Sequence, residues 1–195
     1  MKNKNHYNFI YYIFFTACMT FLFMIIAYGV LESRCNKLNN NKSNKISYYD
    51  TEHIKQYYLY KHKADSILNV HKSPIKGYML SDAWKNTYLY KNIDVPFSLA
   101  ISQLQLESSF GKSRIAKKYN NPFNIMGKKD FIFYNTLEEG IQAYYDLIAS
   151  KYLSCKSVKE LTFNFVNCSN NRYAESQTYE QSLKPLINKY ATLYY

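Results

Sequence analysis

Glu107 is the residue of this sequence best placed to move a proton. In the stretch VPFSLAISQLQLESSFG, Phe97, Ala100, Ile101 and Leu104 fall at i, i+3, i+4 and i+7, the spacing of one buried helix face, and Glu107 is the next member of that stripe. A carboxyl that continues an apolar face loses hydration, and at a helix C-terminus it sits beside the negative end of the helix dipole. Both effects raise its pKa. A carboxyl that keeps its proton toward neutrality is what general-acid catalysis requires. The competing reading ends the helix before Glu107 and lets the side chain swing into water. Metal chemistry has no comparable support, because His53, His62 and His71 have no acidic or Cys partners at ligand spacing. No cofactor motif accompanies them.

The elements that must position Glu107 are mostly helical. Pro96 suits a helix start, where its missing N–H costs nothing. Before it, residues 50–70 read as an amphipathic helix, Pro74 breaks the pattern, and Ser81 is the N-cap candidate of a helix reaching about Lys91. After Gly111 a short helix is expected near Ser113 to Tyr119, ended by Asn120-Asn121-Pro122, a strong turn signal. Phe123 to Met126 and Phe131 to Tyr134, separated by Gly127-Lys128-Lys129-Asp130, read as a β-hairpin. Thr136 with Glu139, and Ser157 with Glu160, match capping boxes that open helices to about Tyr152 and Val166. A last helix runs from about Gln177 to Tyr194, with Pro185 bending or splitting it. Cys155 and Cys168 flank the helix opened at Ser157. In an oxidising compartment they would close a 14-residue loop, worth about 3 kcal/mol.

The rest of the chain is organised around an apolar run. Residues 7–31 carry no charge, and about 20 apolar residues span a bilayer, so a single uncleaved transmembrane signal anchor is expected after a short cytoplasmic head at 1–6. Residues 32–47 are rich in Asn and Lys and read as a flexible tether. A helical part at 48–92 and a catalytic domain at 93–195 follow, making the fold α+β, mainly α. The chain has 25 Lys and Arg against 14 Asp and Glu, a net charge of +11, which points to an anionic partner. Only three of those basic residues are Arg, and the Lys come with 22 Tyr and 20 Asn, a bias that AT-rich codons produce. With no Arg cluster, zinc spacing or recognition motif, nucleic acid is not the expected partner.

Four ordered blocks carry a resemblance. Leu106-Glu107-Ser108-Ser109-Phe110-Gly111-Lys112-Ser113, then Ala116, then Asn120-Asn121-Pro122-Phe123-Asn124-Ile125 resemble the family 73 glycoside hydrolases, bacterial endo-β-N-acetylglucosaminidases whose pattern runs L-E-S-G-W-G-x-S, A, N-N-L-F-G-I. Tyr134 to Tyr144 and Tyr173 to Tyr179 continue it in order, and the flavour is that of the membrane-associated Bax-type branch. The resemblance implies a lysozyme-like fold, cleavage of the GlcNAc-β-1,4-MurNAc bond of peptidoglycan glycan strands, Glu107 as general acid, and a catalytic domain on the periplasmic or extracellular side of the membrane. It also implies sugar contacts from Tyr173, Phe123, Tyr134 and Asn121. Three positions depart from the pattern: Phe110 for Trp, Pro122 for Leu, and Asn124 for Gly. Asn tolerates the left-handed backbone region best after Gly, so the turn at 124 is expected to survive.

The second catalytic group stays open. Glu139 matches the family residue by residue, while Glu138, Asp130 and Glu175 are alternatives and the substrate's own 2-acetamido oxygen needs none of them. Rival readings are a muramidase or lytic transglycosylase, and a silent peptidoglycan-binding scaffold.

Overall fold

The computed structural model describes residues 51–192. Among them no helix is long and apolar enough to cross a membrane. The anchor expected at 7–31 and the tether at 32–47 lie outside the described residues.

Helix α1 (51–70) buries Tyr60, Ala64, Ile67 and Leu68, spaced by four, three and one along a single face. Lys72 at φ 51 ends it, and Ser73 ties the following loop to the site by donating from Oγ to the Phe110 carbonyl at 2.7 Å. Helix α2 (Gly77–Lys91) starts four residues before the expected Ser81 cap. The cap comes from elsewhere in the fold: Asp65 of α1 accepts the Gly77 N–H at 2.7 Å, while Ser81 Oγ donates back to the Tyr78 carbonyl. Trp84 is core, stacked on Tyr60 with its indole N–H on Asp94 at 2.7 Å.

Helix α3 (Phe97–Ser108) is the central rod. Leu99, Ala100, Ile101, Ser102, Gln103 and Leu104 are all fully buried, so the helix is enclosed on every side rather than along one stripe. It packs on α7 (Tyr179–Thr192), a helix that runs through Pro185. Alongside, α2 packs on α5 (Leu137–Ile148), which passes into a π-helical turn, Ala149–Leu153. Short helices α4 (Arg114–Tyr119), capped by Ser113, and α6 (Val158–Leu161), opened by the Ser157 and Glu160 capping box, complete the body. One core extends from Tyr60 to Tyr190. The α6 helix stops well short of Val166, because the Phe165 N–H is taken by Glu180 at 2.8 Å and Val166 bridges Arg172.

The fold is helical, and the expected β-hairpin is corrected. Among the described residues no strands pair into a sheet, and where the hairpin was expected there is one isolated bridge, Met126 to Phe131. Asparagine side chains have taken the backbone groups a ladder would use. Asn121 Nδ2 donates to Ile125 O and Ile132 O at 2.9 and 3.0 Å while its Oδ1 accepts the Ile125 N–H. Asn120 Nδ2 likewise serves Tyr134 O and Asn135 O, both at 3.0 Å. The helical, lysozyme-like part of the expectation fits. Cys155 and Cys168 are joined by a disulfide across the α6 loop.

Gly140 in α5 lets the asparagine turn dock. A Cβ there would stand 2.0 Å from the Asn120 carbonyl oxygen. On helix propensity alone Gly140→Ala would stabilise by about 1 kcal/mol. The clash is with backbone, so the expected outcome is destabilisation by about 1–3 kcal/mol, read as a lower urea midpoint.

Candidate active site

Glu107 occupies the penultimate position of α3, so its carboxyl lies at the negative end of the helix dipole. The chain then turns sharply through three residues of positive φ, Ser109 at 50, Phe110 at 64 and Gly111 at 78. Ser108 holds that turn, donating from Oγ to Leu104 O and accepting the Gly111 N–H at 2.8 Å. The Phe110 ring is buried and stacked on His71 at 4.1 Å. The left-handed backbone at Gly111 calls for glycine, and a Cβ there would also press on the tip of the Ile75 side chain at 2.8 Å.

The Glu107 side chain is half-buried and ends a directed chain of hydrogen bonds. Tyr144 donates to Gln103 Oε1 at 2.6 Å, Gln103 Nε2 donates to the Tyr179 hydroxyl at 2.8 Å, and Tyr179 donates to Glu107 Oε1 at 2.8 Å. Three helices meet in it: α5 supplies Tyr144, α3 supplies Gln103 and Glu107, and α7 supplies Tyr179. Burial raises the Glu107 pKa, and the hydrogen bonds from Tyr179 and Asn124 pull against that rise without cancelling it. The Tyr179 phenol is pushed far up by burial and by facing the carboxylate, so it holds its proton and stays a donor.

The first turn of α7 aims Tyr179. Beside it, buried Glu180 takes Arg172 Nη2 on both oxygens at 3.0 Å and the Phe165 N–H at 2.8 Å. Burial alone would raise the Glu180 pKa, but these partners leave it lowered. Tyr173 lies between, half-buried, its ring 5.6 Å from Tyr179 and its hydroxyl on Phe123 O at 3.2 Å.

The other expected site residues separate into two groups. Tyr173 and Tyr134 are half-buried, and Tyr134 is near enough to raise the Tyr173 pKa. Phe123 and Asn121 are fully buried. Phe123 stacks face to face on Tyr144 at 3.6 Å, and the Asn121 amide is spent on backbone, so both shape the loop from within. Glu139 is exposed and serves the start of α5: its N–H goes to Thr136 Oγ1 at 3.2 Å and its Oε2 accepts the Asn135 N–H at 3.0 Å. Among the described residues no group of His, Cys, Asp and Glu is arranged to hold a metal ion.

Residues 83–192 match the model of the glucosaminidase family, described as mannosyl-glycoprotein endo-beta-N-acetylglucosaminidase. The chain belongs to that family. As a glucosaminidase it is a glycoside hydrolase, and the domain implies a peptidoglycan glycan substrate. The match starts ahead of the sequence blocks and takes in Trp84. No curated protein matches the chain.

The sequence blocks include Tyr179 only as the last residue of a motif and do not mark Gln103. A signal existed for the second: Gln103 sits at i−4 from Glu107, a polar residue inside an apolar run on the same helix side. Gln103→Leu keeps the volume but strands the buried Tyr144 hydroxyl. It is expected to cost about 1–3 kcal/mol, read as a lower urea midpoint.

Proposed function

We propose that this glucosaminidase is an endo-β-N-acetylglucosaminidase that cleaves the GlcNAc-β-1,4-MurNAc bond of peptidoglycan, with Glu107 as the general acid. The observation that carries the reading is the half-buried Glu107 carboxyl, whose pKa is raised by burial while Tyr179 fixes one of its oxygens. Because Oε1 accepts the Tyr179 hydrogen, the acid proton belongs on Oε2, the oxygen left to face the glycosidic bond. Protonating the leaving oxygen there lets the C–O bond break toward an oxocarbenium-like state. The glucosaminidase acts outside the cytoplasm, where peptidoglycan lies, and the Cys155–Cys168 disulfide suits an oxidising compartment.

Glu139 is the second carboxylate of this reading. One of its oxygens caps α5, and the side chain is exposed. Tyr173 and Tyr134 offer partly exposed aromatic surface to the sugar rings.

Glu107→Gln is expected to lower hydrolysis of purified peptidoglycan on the order of 10²–10⁴-fold, with the fold intact by circular dichroism. After borohydride reduction, mass spectrometry of the wild-type products should show reduced GlcNAc ends. Reduced or anhydro-MurNAc ends would move the protein to the muramidase or transglycosylase reading, and undiminished binding with no release by either form would make it a silent binder. Glu139→Gln retains a capping oxygen but loses the charge, and a comparable drop is expected. Unchanged turnover would remove Glu139 from the chemistry and leave the second role to Glu138, Asp130, Glu175 or the substrate's acetamido group.

The pH profile gives a separate check. The Tyr179 hydrogen bond lowers the Glu107 pKa, so removing it in Tyr179→Phe raises that pKa further. The acid is active while protonated. The alkaline limb of kcat/KM is therefore expected to move to higher pH, and a limb that stays or moves down would contradict the assignment.

A further inference from the structure

Asn124 combines a left-handed backbone with a buried side-chain acceptor that has no partner among the described residues. Its backbone is left-handed at φ 52, a region that non-glycine residues enter at some cost. Its Nδ2 donates to the Glu107 carbonyl at 2.5 Å, across 17 residues of sequence. Among the described residues, its Oδ1 is the buried side-chain polar atom without a hydrogen-bond partner. A buried acceptor left in that state costs about 1–3 kcal/mol. The amide orientation follows from the contact, since only the NH₂ side can face a carbonyl oxygen. Strain and an unpaired acceptor therefore meet in one side chain whose made bond reaches the peptide of Glu107.

We propose that Asn124 is a positioning residue for Glu107: its amide pins the last turn of α3 and faces the carboxyl, holding that carboxyl in the orientation from which it donates its proton. The last carbonyls of a helix have no partner within the helix, and the one that Asn124 satisfies belongs to the residue bearing the acid. A small rotation of that peptide would swing the side chain, and misplacement of a reacting group by about 1 Å costs on the order of 10²-fold. The amide also acts on the carboxyl directly, opposing the rise that burial produces, as Tyr179 does. Asn124 and Tyr179 thus hold Glu107 from opposite parts of the chain, the loop after α4 and the start of α7. The titratable groups that face Glu107 are the phenols of Tyr144 on α5, Tyr173 in the loop before α7 and Tyr179 on α7. No charged side chain features among the causes of its shift.

This proposal rests on Glu107 being the acid, and two readouts keep the two claims apart. The first is the titration of the Glu107 carboxyl, followed by ¹³C NMR in the full chain with Glu107→Gln as the assignment control. Asn124→Gly keeps the left-handed backbone free of strain and removes the amide; Asn124→Asp keeps the shape and replaces the donor by a negative charge. The expected order of Glu107 midpoints is wild type lowest, Asn124→Gly higher, Asn124→Asp highest. Equal midpoints in all three folded proteins would overturn the proposal. The second readout is hydrolysis of purified peptidoglycan. Asn124→Gly should lower kcat by roughly 10–100-fold with a smaller change in KM, and an unchanged kcat would also overturn the positioning role. Retained hydrolysis by Glu107→Gln would instead remove the general-acid assignment, whatever the Asn124 variants do to the midpoint.

Discussion

The structure depends on a half-buried carboxyl whose partners, among the described residues, are neutral. Glu107 has the last bond of the chain Tyr144, Gln103, Tyr179, and each link is a buried polar group that would be costly to leave unpaired. A cation beside Glu107 would hold it more tightly and would also strip its proton. Phenol and amide donors orient the group while leaving burial to dominate its proton affinity. The price is geometric precision, because helices α3, α5 and α7 must meet in one register for all three bonds to form.

Much of the remaining architecture serves that register. The α3 rod is enclosed on every side, so it cannot rotate to hide a misplaced Glu107. Glu180, Arg172 and the Phe165 N–H anchor the first turn of α7, one residue from Tyr179. Phe123 stacked on Tyr144 ties the asparagine turn to α5, and Gly140 gives the Asn120 carbonyl room to dock there. The turn in turn carries Asn124 to the end of α3.

What the sequence made legible were features written in local spacing. The Pro96 start, the short helix from Ser113, the Thr136 cap, the Ser157 capping box and the Asn124 left-handed turn all depend on residues a few positions apart. The pairing of Cys155 with Cys168 was also open to inspection. What failed depended on distant partners. Ser81 looked like a cap because nothing local reveals that Asp65 caps α2. The hairpin pattern at 123–134 was outbid by Asn120 and Asn121, whose amides took the backbone groups that strands would have paired. Phe123 and Asn121 match a family cleft motif yet lie fully buried, because a motif records position and not exposure. Gln103 and Tyr179 become parts of the site only when α3 and α7 pack together.

The most direct test of this account is the titration of the wild-type Glu107 carboxyl itself, followed by ¹³C NMR from acid to neutral pH. Burial without a charged partner predicts a midpoint above the ordinary 4.5. A midpoint at or below that value would mean that Glu107 is solvated or paired with a cation, and the hydrogen-bonded, proton-holding acid described here would not exist.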